Sequence, residues 1–254
     1  EGRMEQVAEK KRRRRDGVKG GDGVCLLKVT SGTTGAAKAL AFTHGQMIAD
    51  GKQVGATMGI GPEDVNLGII PFGHSYGLGN LVLPLILQGT AVVMAASPLP
   101  QAWGGAWARG GATVFPAVPA ILKGLVRAGV EPEQLKTLRL VISAGAPLAA
   151  EVAAEFLGKY GRRVHAFYGT SETGGICFDR SGEATLAGAE GGAGVRVGAP
   201  LAGVRLTWRR GGRFWVESAA VGGSGKFSPP DRAVVDAQGE VTLMGRAGRV
   251  VKIG

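Results

Sequence analysis

Nine residues, Thr30-Ser31-Gly32-Thr33-Thr34-Gly35-Ala36-Ala37-Lys38, follow directly on the apolar run Val24–Val29. They bring four hydroxyls, two glycines and a lysine together. Hydroxyl and ammonium donors suit phosphate oxygens, and glycine lets backbone N–H groups come close to an anion. The spacing is not that of G-x-x-x-x-G-K-[ST], because only two residues separate Gly32 from Gly35 and the lysine comes three later. Serine, threonine and glycine are also what turns are made of, so the strip alone is equally a solvated turn.

A second group, His165-Ala166-Phe167-Tyr168-Gly169-Thr170-Ser171-Glu172-Thr173-Gly174, again joins an apolar strand-like run to glycine. Tyr168 offers a ring to stack on a base, Thr170 and Ser171 can reach phosphate oxygens, and Glu172 supplies a hard oxygen for Mg²⁺. A polar turn carrying a surface glutamate is the plain alternative. A third group pairs Asp231 with Arg246, 15 residues later. A carboxylate can accept both hydroxyls of a ribose, with the arginine beside it; a surface ion pair is the competing reading.

The elements that must carry these residues alternate in character. Strand-like runs at Val24–Val29, Val65–Ile70, Thr90–Met94, Thr113–Phe115, Leu138–Ile142 and Val164–Phe167 are separated by helical spacing at Gly45–Met58, Leu78–Leu87, Ala117–Ala128 and Leu148–Tyr160. This is the α/β pattern of a mostly parallel sheet flanked by helices, whose ligands bind in loops at the carboxyl ends of strands. Beyond Pro200 the runs Val204–Trp208, Arg213–Glu217, Val241–Met244 and Arg249–Ile253 are short and glycine-separated, which predicts a small C-terminal β-rich subdomain. The expected division is a basic tail over 1–23, an α/β core over 24–200 and the β subdomain over 201–254.

With 254 residues, 44% of them hydrophobic, and a mean hydropathy of +0.11, the chain can bury a substantial core. No apolar stretch reaches the roughly 18 to 20 residues of a membrane span, and Leu78–Leu87 is interrupted by Asn80 and Pro84. The N-terminus has no apolar signal region. Cys25 and Cys177 are too few for a disulfide framework, so both are expected to be packing residues in a cytoplasmic protein. The net charge of +10 is densest at Lys10–Arg15. No aromatic residue is interleaved there to stack on bases, so a solvated tail is expected rather than a nucleic-acid site.

Taken together and in this order, the three groups resemble those of the adenylate-forming superfamily of acyl-CoA synthetases, nonribosomal-peptide adenylation domains and luciferases. Two further stretches are similar: Pro71-Phe72-Gly73-His74-Ser75-Tyr76-Gly77-Leu78 to the segment beside the acyl pocket, and Ser143-Ala144-Gly145-Ala146-Pro147-Leu148 to the strand end bordering the adenine. Val197–Leu201 is similar to the stretch that leads into the family's β subdomain. The resemblance implies ATP-dependent activation of a carboxylic acid as acyl-adenylate with release of pyrophosphate. Thioester formation with CoA or a carrier-protein pantetheine would follow in the full-length enzyme.

It also implies roles. Thr30, Ser31, Gly32, Thr33, Thr34, Gly35 and Lys38 would hold the leaving pyrophosphate, Glu172 the Mg²⁺, and Ser171 would lie near the α-phosphate. Tyr168 and Gly169, with Gly145, Ala146 and Pro147, would receive adenine; Asp231 and Arg246 the ribose; His74 would line the carboxylate side. His44 and His165 are left as structural.

Departures are Ala37 and Ala39, where the family usually has proline and glycine, and Gly248 at the hinge, where many members carry Asp or Lys. The family continues beyond the equivalent of Gly254 into a small domain that carries a further lysine, and most of its N-terminal subdomain has no counterpart here. The expectation is a central piece of the large domain. A non-catalytic nucleotide-binding module stands as the alternative, and nucleic-acid binding through the tail as a third.

Overall fold

The computed structural model describes residues 23–30, 38–95, 97, 99–188 and 194–246. The basic run Lys10–Arg15, the loop residues Ser31, Gly32, Thr33, Thr34 and Gly35, Gly248 and the run Arg249–Ile253 lie outside them.

Five short strands build the parallel part of the main sheet. They are β3 (Val65–Gly68), β4 (Ala91–Met94), β5 (Val114–Ala117), β6 (Leu140–Ser143) and β7 (Val164–Thr170), side by side in the order β4-β3-β5-β6-β7. Beyond β7 the sheet turns antiparallel with β8 (Gly174–Phe178) and β10 (Ala199–Pro200). Strand side chains alternate between faces. Phe115 and Val141 enter one core with Trp107, Leu122 and Phe156, from α4 (Pro100–Gly110), α5 (Pro119–Arg127) and α6 (Ala150–Tyr160). Their neighbours Val114, Leu140 and Ile142 enter a second core with Val54 and Met58 of α1 (His44–Met58), Tyr76 and Leu81. Helices thus cover both faces, as the alternating pattern predicts.

The first strand differs from expectation. Val24–Thr30 (β1) is not part of the main sheet but pairs antiparallel with β2 (Lys38–Thr43), a strand the apolar runs did not reveal. Beyond that pairing, Leu26 of β1 packs against a small core of Phe42, Met47 and Leu83. Thr30 faces Lys38 across this hairpin, so the candidate phosphate loop joins the two strand ends. α1 follows at once, started by a capping box in which Thr43 and Gln46 bond each other's backbone N–H.

The expected helix at Leu78–Leu87 starts earlier, as one turn at Ser75–Gly77 (α2), passes through a π segment at Leu78–Val82 and finishes as α3 (Leu83–Gln88). Gly77 is required there, since a Cβ would lie 2.1 Å from the Pro71 carbonyl oxygen. α4 was not foreseen. Its residues include glycines and tryptophans, weak helix formers, and it is held by tertiary packing, with Trp107 edge-on to Phe115 at 4.9 Å.

The β-rich end contains two three-stranded antiparallel sheets. One is β11 (Arg205–Trp208), β12 (Phe214–Glu217) and β13 (Lys226–Phe227); the other places β15 (Val241–Arg246) between β14 (Asp231–Val235) and β9 (Val195–Arg196). A shared core of Ile176, Cys177, Phe214, Val216, Ala233 and Val241 fastens both to β8. Cys177 is a packing residue as expected. Cys25 is not: it is exposed, with Sγ 3.6 Å from the Phe42 carbonyl oxygen.

Candidate active site

The site is organised around the carboxyl end of β7. Tyr168 lies on this strand, and its phenol donates to Asp231 Oδ2 at 2.8 Å. Asp231 opens β14 directly opposite Arg246, the last residue of β15, so antiparallel register delivers the pair. Arg246 Nε is 3.5 Å from Asp231 Oδ1. The carboxylate is largely buried whereas the guanidinium is mostly exposed, which leaves the arginine free to follow a ligand. Burial, reinforced by the neighbouring Asp231 charge, pushes the Tyr168 hydroxyl well above the ordinary phenol range. It remains a neutral donor at any working pH.

Three residues, Ser171, Glu172 and Thr173, form a tight turn between β7 and β8. Thr173 is buried, and its hydroxyl meets Thr170 Oγ1 at 3.1 Å. Ser171 Oγ accepts from Ser75 Oγ at 3.1 Å, which joins this turn to the His74-Ser75 segment. Glu172 is half-buried, and its backbone carbonyl accepts from the Gly222 N–H at 3.0 Å. Gly174 adopts φ +69°, and a Cβ there would lie 2.1 Å from Asp50 Oδ1. The turn therefore carries the Glu172 carboxylate on a backbone anchored from several elements.

His74 is exposed and caps α2, its Nδ1 accepting the Tyr76 N–H at 3.1 Å. With Nδ1 occupied as acceptor, the neutral ring carries its proton on Nε2. Gly145, Ala146 and Pro147 are exposed in the loop that leaves β6, the strand beside β7, and Gly145 takes φ +81°. Behind them Ser143 Oγ is buried without a hydrogen-bond partner. Thr30 and Lys38 pair at the strand ends that flank the candidate phosphate loop. An apolar cavity of about 600 Å³ opens at the ends of β3 and β4, lined by Ile69, Met94, Trp103 and Ile121 among others.

Over residues 3–207 the sequence matches the family model described as "AMP-binding enzyme". The chain belongs to that family. Among curated relatives, 2-hydroxy-7-methoxy-5-methyl-1-naphthoate–CoA ligase of Streptomyces carzinostaticus is 32% identical over 163 residues, covering 63% of this chain and 29% of the relative. Feruloyl-CoA synthase of Amycolatopsis sp is 29% identical over 173 residues, covering 67% and 35% respectively. The chain thus spans about a third of the length of these relatives. Among solved structures, O-succinylbenzoate coenzyme A synthetase from Bacillus subtilis, in complex with AMP, superposes with a TM-score of 0.76 at 23% identity, over 89% of this chain and 50% of that one. ATP-bound MatB from Rhodopseudomonas palustris gives 0.74 at 24%, over 88% and 48%. These two likenesses establish the shared fold.

Sequence reasoning missed three residues around the candidate site: Ser75, Lys28 and Asp50. Lys28 Nζ donates to the Ser171 carbonyl at 3.4 Å and lies 4.3 Å from the centre of the Phe42 ring. Asp50, buried on α1, accepts the Gly175 N–H at 3.0 Å. Burial pulls the Lys28 ammonium below its ordinary range and pushes the Asp50 carboxyl above it, while each charge opposes the shift of the other. One signal was available, since Lys28 is the sole charge in an otherwise apolar strand.

Proposed function

We propose that this chain forms the ATP-binding core of an enzyme that joins a carboxylic acid to AMP, releasing pyrophosphate, and then passes the acyl group to a thiol. The observation that carries this reading is the assembly of Tyr168, Asp231 and Arg246 beside Ser171 and Glu172 at one strand end, from segments far apart in sequence. Such a cluster offers a ring for a base, a carboxylate for the ribose hydroxyls and a hard oxygen ligand within one loop's length.

The donor set fits magnesium. Among the described residues no three His, Cys, Asp or Glu side chains converge, so no all-protein metal cage exists. Mg²⁺ is commonly held by one or two carboxylates together with substrate phosphates, and Glu172 provides such a carboxylate. Bound there, the ion would neutralise charge on the phosphate oxygens.

The remaining work falls to protein groups. The substrate carboxylate attacks the α-phosphorus, and the bond to the bridging oxygen of pyrophosphate breaks. Catalysis of this kind is positioning and charge stabilisation. Lys38 and the loop donors meet the leaving pyrophosphate, the Ser171 hydroxyl faces the α-phosphate, and His74 can donate its Nε2 proton to the substrate carboxylate.

The relatives' names point to aromatic acids as the first substrates to try, and to CoA rather than a carrier protein as the first thiol. A cytoplasmic setting accords with this reading, since ATP and CoA are used there. The test is pyrophosphate exchange into ATP by the full-length gene product with a panel of aromatic, fatty and amino acids. Exchange that needs both an acid and Mg²⁺ is expected. A lack of exchange with every acid tested, in a protein that also fails to bind ATP, would sink the reading.

A further inference from the structure

Two buried charges beneath the Ser171–Gly175 turn have no part in the reaction as described. Lys28 is 9% exposed and lies on β1, two residues before Thr30, where the chain enters the phosphate loop. Asp50 is 5% exposed and lies on the second turn of α1. They grip the same turn from opposite ends, Lys28 at the Ser171 carbonyl and Asp50 at the Gly175 N–H. Between these points stand Glu172 and Gly174, and Gly174 fits only because it lacks a Cβ that would strike the Asp50 carboxylate.

Burying a full charge is expensive, and a neutral hydrogen-bonding pair could hold a turn at less cost. Hydrogen bonds to charged groups are stronger than neutral ones, and groups behind a metal ligand commonly tune its affinity. The Lys28 ammonium also places positive charge near Glu172. We infer that Lys28 and Asp50 are positioning residues that fix the turn carrying Glu172 from both ends, so that its carboxylate is held in place for magnesium. The inference rests on Glu172 as the magnesium ligand.

The test pairs Lys28→Met with Asp50→Asn, so that neither charge is left buried alone, and includes Lys28→Arg as the charge-retaining control. Two readouts are taken on the full chain: hydrogen exchange of the 170–176 segment without ligand, and ATP binding at increasing Mg²⁺. In the double variant, faster exchange confined to 170–176 is expected, together with a rise of about 10-fold in the Mg²⁺ needed for half-maximal effect. ATP affinity in EDTA and the melting temperature should stay near wild type, and Lys28→Arg should recover much of the Mg²⁺ response.

A folded double variant with wild-type exchange and wild-type Mg²⁺ dependence would overturn the inference. A variant that melts early but keeps the wild-type Mg²⁺ response would do the same, since that marks a merely structural pair. If the double variant does not fold, the unmutated chain decides. Its Gly175 amide should exchange roughly 100-fold slower than that of exposed Gly223, and equally rapid exchange would count against the inference. Loosening of the turn in a chain whose wild type binds no ATP would uphold the positioning role and refute the nucleotide reading instead.

Discussion

Tyr168 combines two tasks, presenting a ring at the strand end while its hydroxyl fixes the Asp231 carboxylate. Tyr168→Phe keeps the ring and deletes the bond. A hydrogen bond to a charged acceptor contributes about 1.5–3 kcal/mol, so the variant should melt earlier and bind ATP more weakly, in equilibrium titration, through a less ordered Asp231. Glu172→Ala should abolish Mg²⁺-dependent turnover while the protein melts as wild type, because the side chain is half-buried and the turn is anchored through its backbone. Lys38→Ala should weaken ATP more than AMP, a difference readable by competition. These residues were legible as candidates in the sequence because hydroxyl, carboxylate and ammonium chemistry is local. Lys28, Asp50 and Ser75 were not, because what defines them is a contact across 143, 125 and 96 residues respectively.

At the scale of elements, the turn and its supports carry the demand for particular residues. Gly174→Ala meets both a positive φ and a 2.1 Å collision with a buried carboxylate. Such a change should cost about 2 kcal/mol or more, seen as a lower denaturation midpoint. Thr43→Ala breaks the capping box at the head of α1 and should cost about 1 kcal/mol, by the same measurement. Periodicity revealed the helices α1, α5 and α6, each of which buries one side against the sheet, and short apolar runs revealed the parallel strands, which are covered on both faces. It missed α4, whose helix depends on Trp107 meeting Phe115, and it missed β2 and β14, whose register rests on strands elsewhere in the chain.

Across the whole molecule the main sheet has two unlike ends. At the amino end Asp64 ties three strands together, accepting from Arg139 Nε at 2.7 Å, Thr113 Oγ1 at 2.7 Å and the Gly61 N–H at 2.9 Å, next to the starts of β6, β5 and β3. Burial pushes its carboxyl upward, but the bonds from Arg139, Gly61 and Thr113 outweigh that and hold it below the ordinary range. Its stabilisation is therefore present above an unfolded value near 3.8 and is lost as pH falls through the lower folded value. Asp64→Asn should reduce the loss of melting temperature on acidification below about pH 4 while leaving nucleotide binding alone.

The carboxyl end carries the proposed nucleotide site, where open α/β sheets place their ligands. Calorimetric titration of ATP with Mg²⁺ into the wild-type chain, Asp231→Ala and Glu172→Ala tests that placement most directly. One site per wild-type chain is predicted, weakened in Asp231→Ala with or without the metal and weakened in Glu172→Ala only when Mg²⁺ is present. Absence of binding, or binding that both substitutions leave unchanged, would contradict the proposed site.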